Sequence, residues 1–378
     1  GKKNRTQIEY GLLTDPDGRP VAIRVFPGNT GDPTAFKDAV KIVVERFKLD
    51  KMVLVGDRGM ITSARIDALR AHPDADLGWL TALRAPAIAK LAADDQPLQI
   101  SLFDEQNLAE ISHPDYPGER LVACRNPALA TERARKRDEL LSATEQALAK
   151  PLAAVAAGRL RGADKIGLKV GKIIDTYKMA KHLDVTITDA TLTIERNTTQ
   201  IAAEAALDGI YVLRTSVPAD QLDAADVVLA YKNLAHVERD FRTIKVDDLD
   251  LRPVYHRLAD RVRAHVLICM LAAYLTWHLR RALAPLTYTD EHPPTRDNPV
   301  APAKRSPAAA RKASRHKDDN DNPVRSFRTL LEHLATLTRN DLRYGPTDGP
   351  VVPTLAEPTT TQRRVFELLD TPIPLTLK

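Results

Sequence analysis

Lys51-Met-Val-Leu-Val-Gly-Asp57-Arg-Gly59 reads as a buried strand that runs out into an aspartate and a glycine turn, and its flanks decide the fold. Upstream, residues 6–13 and 20–26 read as two strands joined by Asp15-Pro-Asp-Gly18, a hairpin signal. Between hairpin and strand, residues 33–48 carry Phe36, Val40, Ile42, Val43 and Phe47, which suit a helix covering a sheet. Downstream, residues 62–71 predict another helix, with Thr62 as N-cap and Ile66 and Leu69 apolar. Leu77 to Leu83 predicts a further strand. Hairpin, helix, strand, helix, strand is an α/β order with a mixed sheet.

A second stretch carries the chemistry: Tyr231-Lys-Asn-Leu-Ala-His-Val-Glu238-Arg-Asp-Phe-Arg-Thr-Ile-Lys245. Tyr231, Glu238 and Lys245 are seven residues apart. At about 100° per residue, that step falls only ~20° short of two helical turns. On a helix the phenol, carboxylate and ammonium form one row. Leu234, Val237, Phe241 and Ile244 form the adjoining apolar stripe, which puts Glu238 at the margin of the buried face. A carboxylate at a strand end and another on a later helix are what a divalent-metal site needs.

These residues resemble bacterial insertion-sequence transposases of the DDE type. The resemblance is to the branch with a tyrosine–arginine–glutamate–lysine signature on the helix of the third acid. It spans roughly residues 4–282 and includes Phe26-Pro-Gly-Asn-Thr-Gly-Asp32, Pro117-Gly-Glu-Arg-Leu and Arg252-Pro-Val-Tyr-His256. Asp57 matches the second acid and Glu238 the third, while Tyr231 and Lys245 match the ends of the signature. Leu234 stands where the arginine is expected, removing one phosphate contact.

The resemblance implies an RNase H-like mixed sheet with helices, interrupted by a large α+β insertion before the third-acid helix. It implies three carboxylates holding two Mg²⁺ (or Mn²⁺) ions. The partners would be DNA, as transposon ends and target, and further copies in a homo-oligomer, with no membrane. Arg58, Arg239 and Arg242 join Tyr231 and Lys245 as candidate DNA contacts. The first acid would lie on a core strand ahead of the one matched by Thr6 to Leu13. Because the chain opens inside that region, it reads as a portion lacking the first core strand and inactive by itself. A metal-dependent RNase H-like nuclease and a catalytically dead DNA-binding remnant are the alternatives.

Taken alone, an aspartate after a strand more often caps a turn, and a helical glutamate between Tyr and Lys is more often a weak surface ion pair. Their joint occurrence among the other matching words reverses that judgement. The net charge of +5 suits a polyanionic partner without requiring one. Two cysteines, Cys124 and Cys269, provide neither a disulfide framework nor a zinc site, which points to a reducing compartment, and the resemblance implies the cytoplasm with its nucleoid. The longest apolar run, Val266 to Leu275, reads as a buried helix.

The expected organisation is a first core part at 1–84, an insertion at 85–218 and core helices with Glu238 at 219–284. A flexible linker at 285–325, dense in Pro, Ala and charge, and a short helix and tail at 326–378 complete it.

Overall fold

A computed structural model describes residues 7–30, 37–38, 40–49, 51–71, 76–93, 97–99, 103–247, 249, 251–295, 298–318 and 321–374. Asp32, Phe36 and residues 100–102, half of the strand-like stretch that the sequence suggests at 98–103, lie outside them.

Strands β1 (Ile8–Thr14) and β2 (Pro20–Pro27) form the expected hairpin, with Leu12 opposite Ile23. The Asp15 carboxylate organises its turn by accepting from the N–H groups of Asp17 and Arg19 at 3.1 and 2.8 Å. A π-turn, Ile42–Arg46, precedes β3 (Lys51–Val55). Helix α1 (Ser63–Arg70), β4 (Asp76–Ala82) and α2 (Ala85–Leu91) follow in the expected order. β3 and β4 pair in parallel.

The sheet then crosses the boundary drawn at residue 84. β5 (Leu108–Ile111) and β6 (Arg120–Arg125) come from the insertion, as does a later strand at Ile210–Thr215, and all three join β3 and β4. Between them run α3 (Pro127–Ala156), α4 (Ala163–Tyr177), the hairpin β7 (Leu183–Ile187) with β8 (Leu192–Arg196), and α5 (Thr198–Ala205). With the later strand as β9, the sheet order is β3-β4-β9-β6-β5, mixed and five-stranded. Pro151 neither ends nor divides α3, which continues to Ala156. Leu141 and Leu148 of α3 pack with Ile166, Val170, Leu183 and Leu192 in a separate core.

Leu121 to Cys124 of β6 and Val212 and Leu213 of β9 are fully buried, because helices cover both faces of the sheet. Leu83, Ile88 and Leu91 cover one side of these strands. The other side packs on Val227 and Val228 of α6 (Ala224–Lys232). Helix α7 (Leu234–Arg242) and a π-turn at Thr243–Asp247 continue from it. Helix α8 (Ala259–Ala282) lays Val262, Val266, Cys269 and Ala273 against Ile8, Leu12, Ile23 and Val25 of the first hairpin. That hairpin is a sheet of its own, and β3 stands at the edge of the larger one.

By length and composition α8 is apolar enough to cross a membrane. Here one face packs on the hairpin, whereas Leu267, Ile268, Leu271 and Leu275 remain exposed, so the buried helix expected at Val266–Leu275 is buried on one side only.

The stretch expected to be a flexible linker has structure in its described residues. It forms α9 (Pro307–Arg315) and buries Val300 beside Val227 and Val228. Beyond it lie α10 (Phe327–Leu334), the hairpin β10 (Arg339–Arg343) with β11 (Val351–Leu355), and α11 (Thr360–Leu368). Leu330 and Val365 close a small core with Leu283 and Leu286.

Candidate active site

The end of β3 is fixed before Asp57 begins. Gly56 donates its N–H to the Leu80 carbonyl at 3.1 Å, and a Cβ on Gly56 would meet Ile61 Cγ1 at 2.9 Å. Asp57 then closes its own turn, Oδ1 accepting from the N–H groups of Gly59 and Met60 at 2.8 and 2.7 Å. The turn-capping role and an outward-facing carboxylate therefore coexist, since Asp57 and Arg58 are both exposed. One oxygen orients the group while the other is left for a ligand.

The third-acid segment is two helices and a π-turn rather than the one helix expected to carry Tyr231, Glu238 and Lys245. α6 ends at Lys232, α7 starts at Leu234, and His236 donates to the Asn233 carbonyl at 2.9 Å in the tighter junction. α6 is anchored on the sheet through Val227 and Val228, which places Tyr231 at its outer end, half-buried. Burial pushes the Tyr231 phenol above its ordinary value. Asp57 adds to the rise, Arg58 opposes it and Glu238 raises it further. Three side chains from two distant parts of the chain thus act on one phenol.

Glu238 is exposed and lines an open pocket of about 420 Å³ with Phe241, Arg242 and Lys245. The Lys245 ammonium lies 5.6 Å from the centre of the Phe241 ring, which meets Tyr10 of β1 at 5.4 Å. Burial, with Arg252 adding, holds the Lys245 pKa below its usual value.

Arg239 belongs to another side of α7. It acts on His236 and Asp240, toward the Asp15–Gly18 turn. Asp240 was not singled out from the sequence. Burial pushes its carboxyl up to about 6 against Arg239 and Arg280, with Asp15 adding to the rise. It falls within the apolar stripe of α7, and a carboxylate in a stripe is the signal that marks it. Phe241 was assigned to the stripe alone, yet its ring also walls the pocket.

Asp57 and Glu238 offer hard oxygen donors, the set that Mg²⁺ or Mn²⁺ takes with waters and phosphate oxygens. Among the described residues no group of three His, Cys, Asp or Glu side chains is placed to hold an ion. Each carboxylate is, by its chemistry, a donor for such a cation.

A family profile described as "Transposase DDE domain" matches residues 1–275. The chain belongs to that family of transposases, whose members cleave DNA and transfer strands. Its five-stranded mixed sheet with helices is consistent with the RNase H-like fold of such enzymes. No curated protein and no solved structure matches the chain.

Proposed function

We propose that this chain is the part of an insertion-sequence transposase that carries the second and third acids, Asp57 and Glu238. The observation that carries the reading is the Tyr231 phenol, on which Asp57, Arg58 and Glu238 all act. The two carboxylates would hold Mg²⁺ or Mn²⁺, which would supply activation of the attacking oxygen and charge neutralisation at the leaving one for in-line displacement at phosphorus. Asp57 is pre-oriented by its own turn, so little side-chain freedom is lost on binding. Arg242 and Lys245, in the pocket beside Glu238, take the phosphate backbone, and Tyr231 and Arg58 contact it from the Asp57 side. Arg239 contributes from the adjoining side of α7, where it also acts on His236 and Asp240. Leu234 leaves this surface one cation poorer than the resembled branch.

The outer edges of β1 and β3 lack strand partners among the described residues. A strand carrying the first acid, inserted between them, would complete both the sheet and the two-ion site. With Asp57 and Glu238 alone, strand transfer is not expected. The work takes place on nucleoid DNA in the cytoplasm, by a homo-oligomer.

The test is Mn²⁺ binding followed by electron paramagnetic resonance, alongside cleavage and strand-transfer assays. Asp57→Asn and Glu238→Gln should each weaken Mn²⁺ binding by about tenfold or more, since each removes a charged ligand. Unchanged binding in both variants would overturn the metal role. Strand transfer by the chain as it stands would overturn the need for a further acid. Mn²⁺-dependent nicking without joining would favour the nuclease reading.

A further inference from the structure

A second groove runs along the first hairpin, outside the candidate active site. Its floor is Val21 to Val25 of β2, one wall is Ile42, Arg46 and Phe47, and the other is Arg263, Leu267 and Met270 of α8. Its volume is about 570 Å³. β2 pairs with β1 along one edge, and among the described residues the opposite edge has no strand partner. In an antiparallel strand alternate residues turn their N–H and C=O groups to each side, so this edge presents unpaired donors and acceptors to the groove.

The walls are apolar and open, with Val21, Phe47 and Leu267 exposed, and the apolar surface continues along α8 through Ile268, Leu271 and Leu275. The rim is basic. Arg24 and Arg46 have no ion-pair partner among the described residues, and the nearby Glu45 faces Lys41 at 3.9 Å. Arg263 is held by Asp260 at 2.8 Å.

We propose that this groove binds an extended peptide segment of a partner protein, which adds as a strand to the free edge of β2. The occupant alternates apolar and acidic side chains. Strands pair about 4.8 Å apart, whereas a helix with its side chains is about 10–12 Å wide, and a floor made of a bare strand edge is matched by a strand. A second copy of this chain is a poorer occupant. It would bring its own groove walls into the same space and set Arg24 and Arg46 near their equivalents. Apolar walls select the side chains of one face, and the two unpaired guanidiniums select carboxylates at the rim. Five residues of β2 offer an edge of about 17 Å, enough for a segment of similar length.

The probe is a fluorescein-labelled heptapeptide of alternating valine and glutamate, titrated with the whole chain and followed by anisotropy. Saturable binding is expected, weakened at least tenfold by Arg24→Glu with Arg46→Glu. N-methylating one set of alternate amides in the peptide should abolish binding, while methylating the other set should spare it, because only one edge of the added strand meets β2. These two probes leave the protein untouched, so a misfolded variant cannot decide the outcome. Equal binding of both methylated forms, or of a valine–lysine peptide, would overturn the proposal. So would a concentration-dependent dimer dissolved by Arg24→Glu, which would make the face a self-interface. Displacement of the peptide by a short DNA duplex, with duplex binding lost in the double arginine variant, would assign the rim to nucleic acid instead.

Discussion

Lys245 shows how much one side chain can be asked to do. Its ammonium rests over the Phe241 ring and shares a pocket with Glu238 and Arg242. If it meets a phosphate, Lys245→Ala should reduce the salt slope of DNA binding by about one counterion. Glu238→Gln should leave the slope unchanged and hold or strengthen affinity by removing a negative charge. Binding curves at several salt concentrations read both, and equal slopes for wild type and the lysine variant would take Lys245 off the DNA surface. Gly18 makes a different demand. Its φ is +79°, and a Cβ there would stand 2.5 Å from the Cβ of His236 on the helix that carries Glu238. Gly18→Ala should cost about 1–3 kcal/mol by urea denaturation, and the same clash should shift α7. At this scale the sequence was informative where chemistry is local: the Asp15–Gly18 turn and the Asp57–Gly59 turn were both readable. Arg239 could not be separated from Arg242 in the same way. Helical angle alone does not show that the hairpin turn occupies one side of α7.

Among the elements, local order was legible and pairing was not. Hairpin, strand, helix and strand through residue 83 follow from alternation and turn residues, because those signals lie within a few positions. That β6 and β9 would join β3 and β4 depends on pairings as distant as Arg120 with Thr215 and Leu80 with Thr215, which no periodicity encodes. The continuous apolar run of β9 was visible, but the same run fits a strand in any covered sheet. The breaks at Asn233 and at Thr243–Asp247 were not legible, because the helical spacing of apolar residues from Leu234 to Ile244 carries no mark of either. Pro117-Gly-Glu-Arg now has a physical account. Glu119 is buried and accepts from Arg214 Nη2 of β9 at 2.6 Å and from Arg70 Nη2 of α1 at 2.9 Å, joining insertion strand and core helix. Arg214 stacks on Tyr116 and Arg70 on Trp79, at 4.9 and 5.0 Å from the ring centres. Removing the carboxylate strands a buried guanidinium, so Glu119→Ala should cost about 3–5 kcal/mol. Urea denaturation of Glu119→Ala against an exposed control, Glu132→Ala, measures it. A loss equal to that of the control would show that solvent reaches Arg214 and the triad holds little.

For the whole molecule, the decisive departure is the region expected to be a tether. Composition marked residues 285–325 as unable to build a core, and taken alone they could not. They borrow one. Val300 enters the cluster formed by Val227, Val228, Leu80 and Leu213, and Lys232, the residue after Tyr231, donates to the carbonyls of Pro299, Val300 and Ala301. The last two contacts are 2.9 and 3.2 Å. An ammonium carries three donors and no acceptor, so three converging carbonyls satisfy it completely. Asn126, the N-cap of α3, reaches the Val300 carbonyl from the other side at 3.4 Å. The carboxy-terminal region is thereby tied to the helix that carries the candidate site. Lys232→Met keeps the aliphatic stem and removes the donors, leaving Val300 with Asn126 and the Pro299 and Ala301 carbonyls to find water or remain unpaired, a loss of about 1–3 kcal/mol. Its signature should be local: thermolysin should cut the variant faster between residues 285 and 306, while Mn²⁺ binding at Asp57 and Glu238 should persist because neither carboxylate contacts the clamp. Cleavage at the wild-type rate would mean that Val300 alone holds the region down. In that case Val300→Asp, which puts a charge into the cluster, should release it where the lysine variant did not.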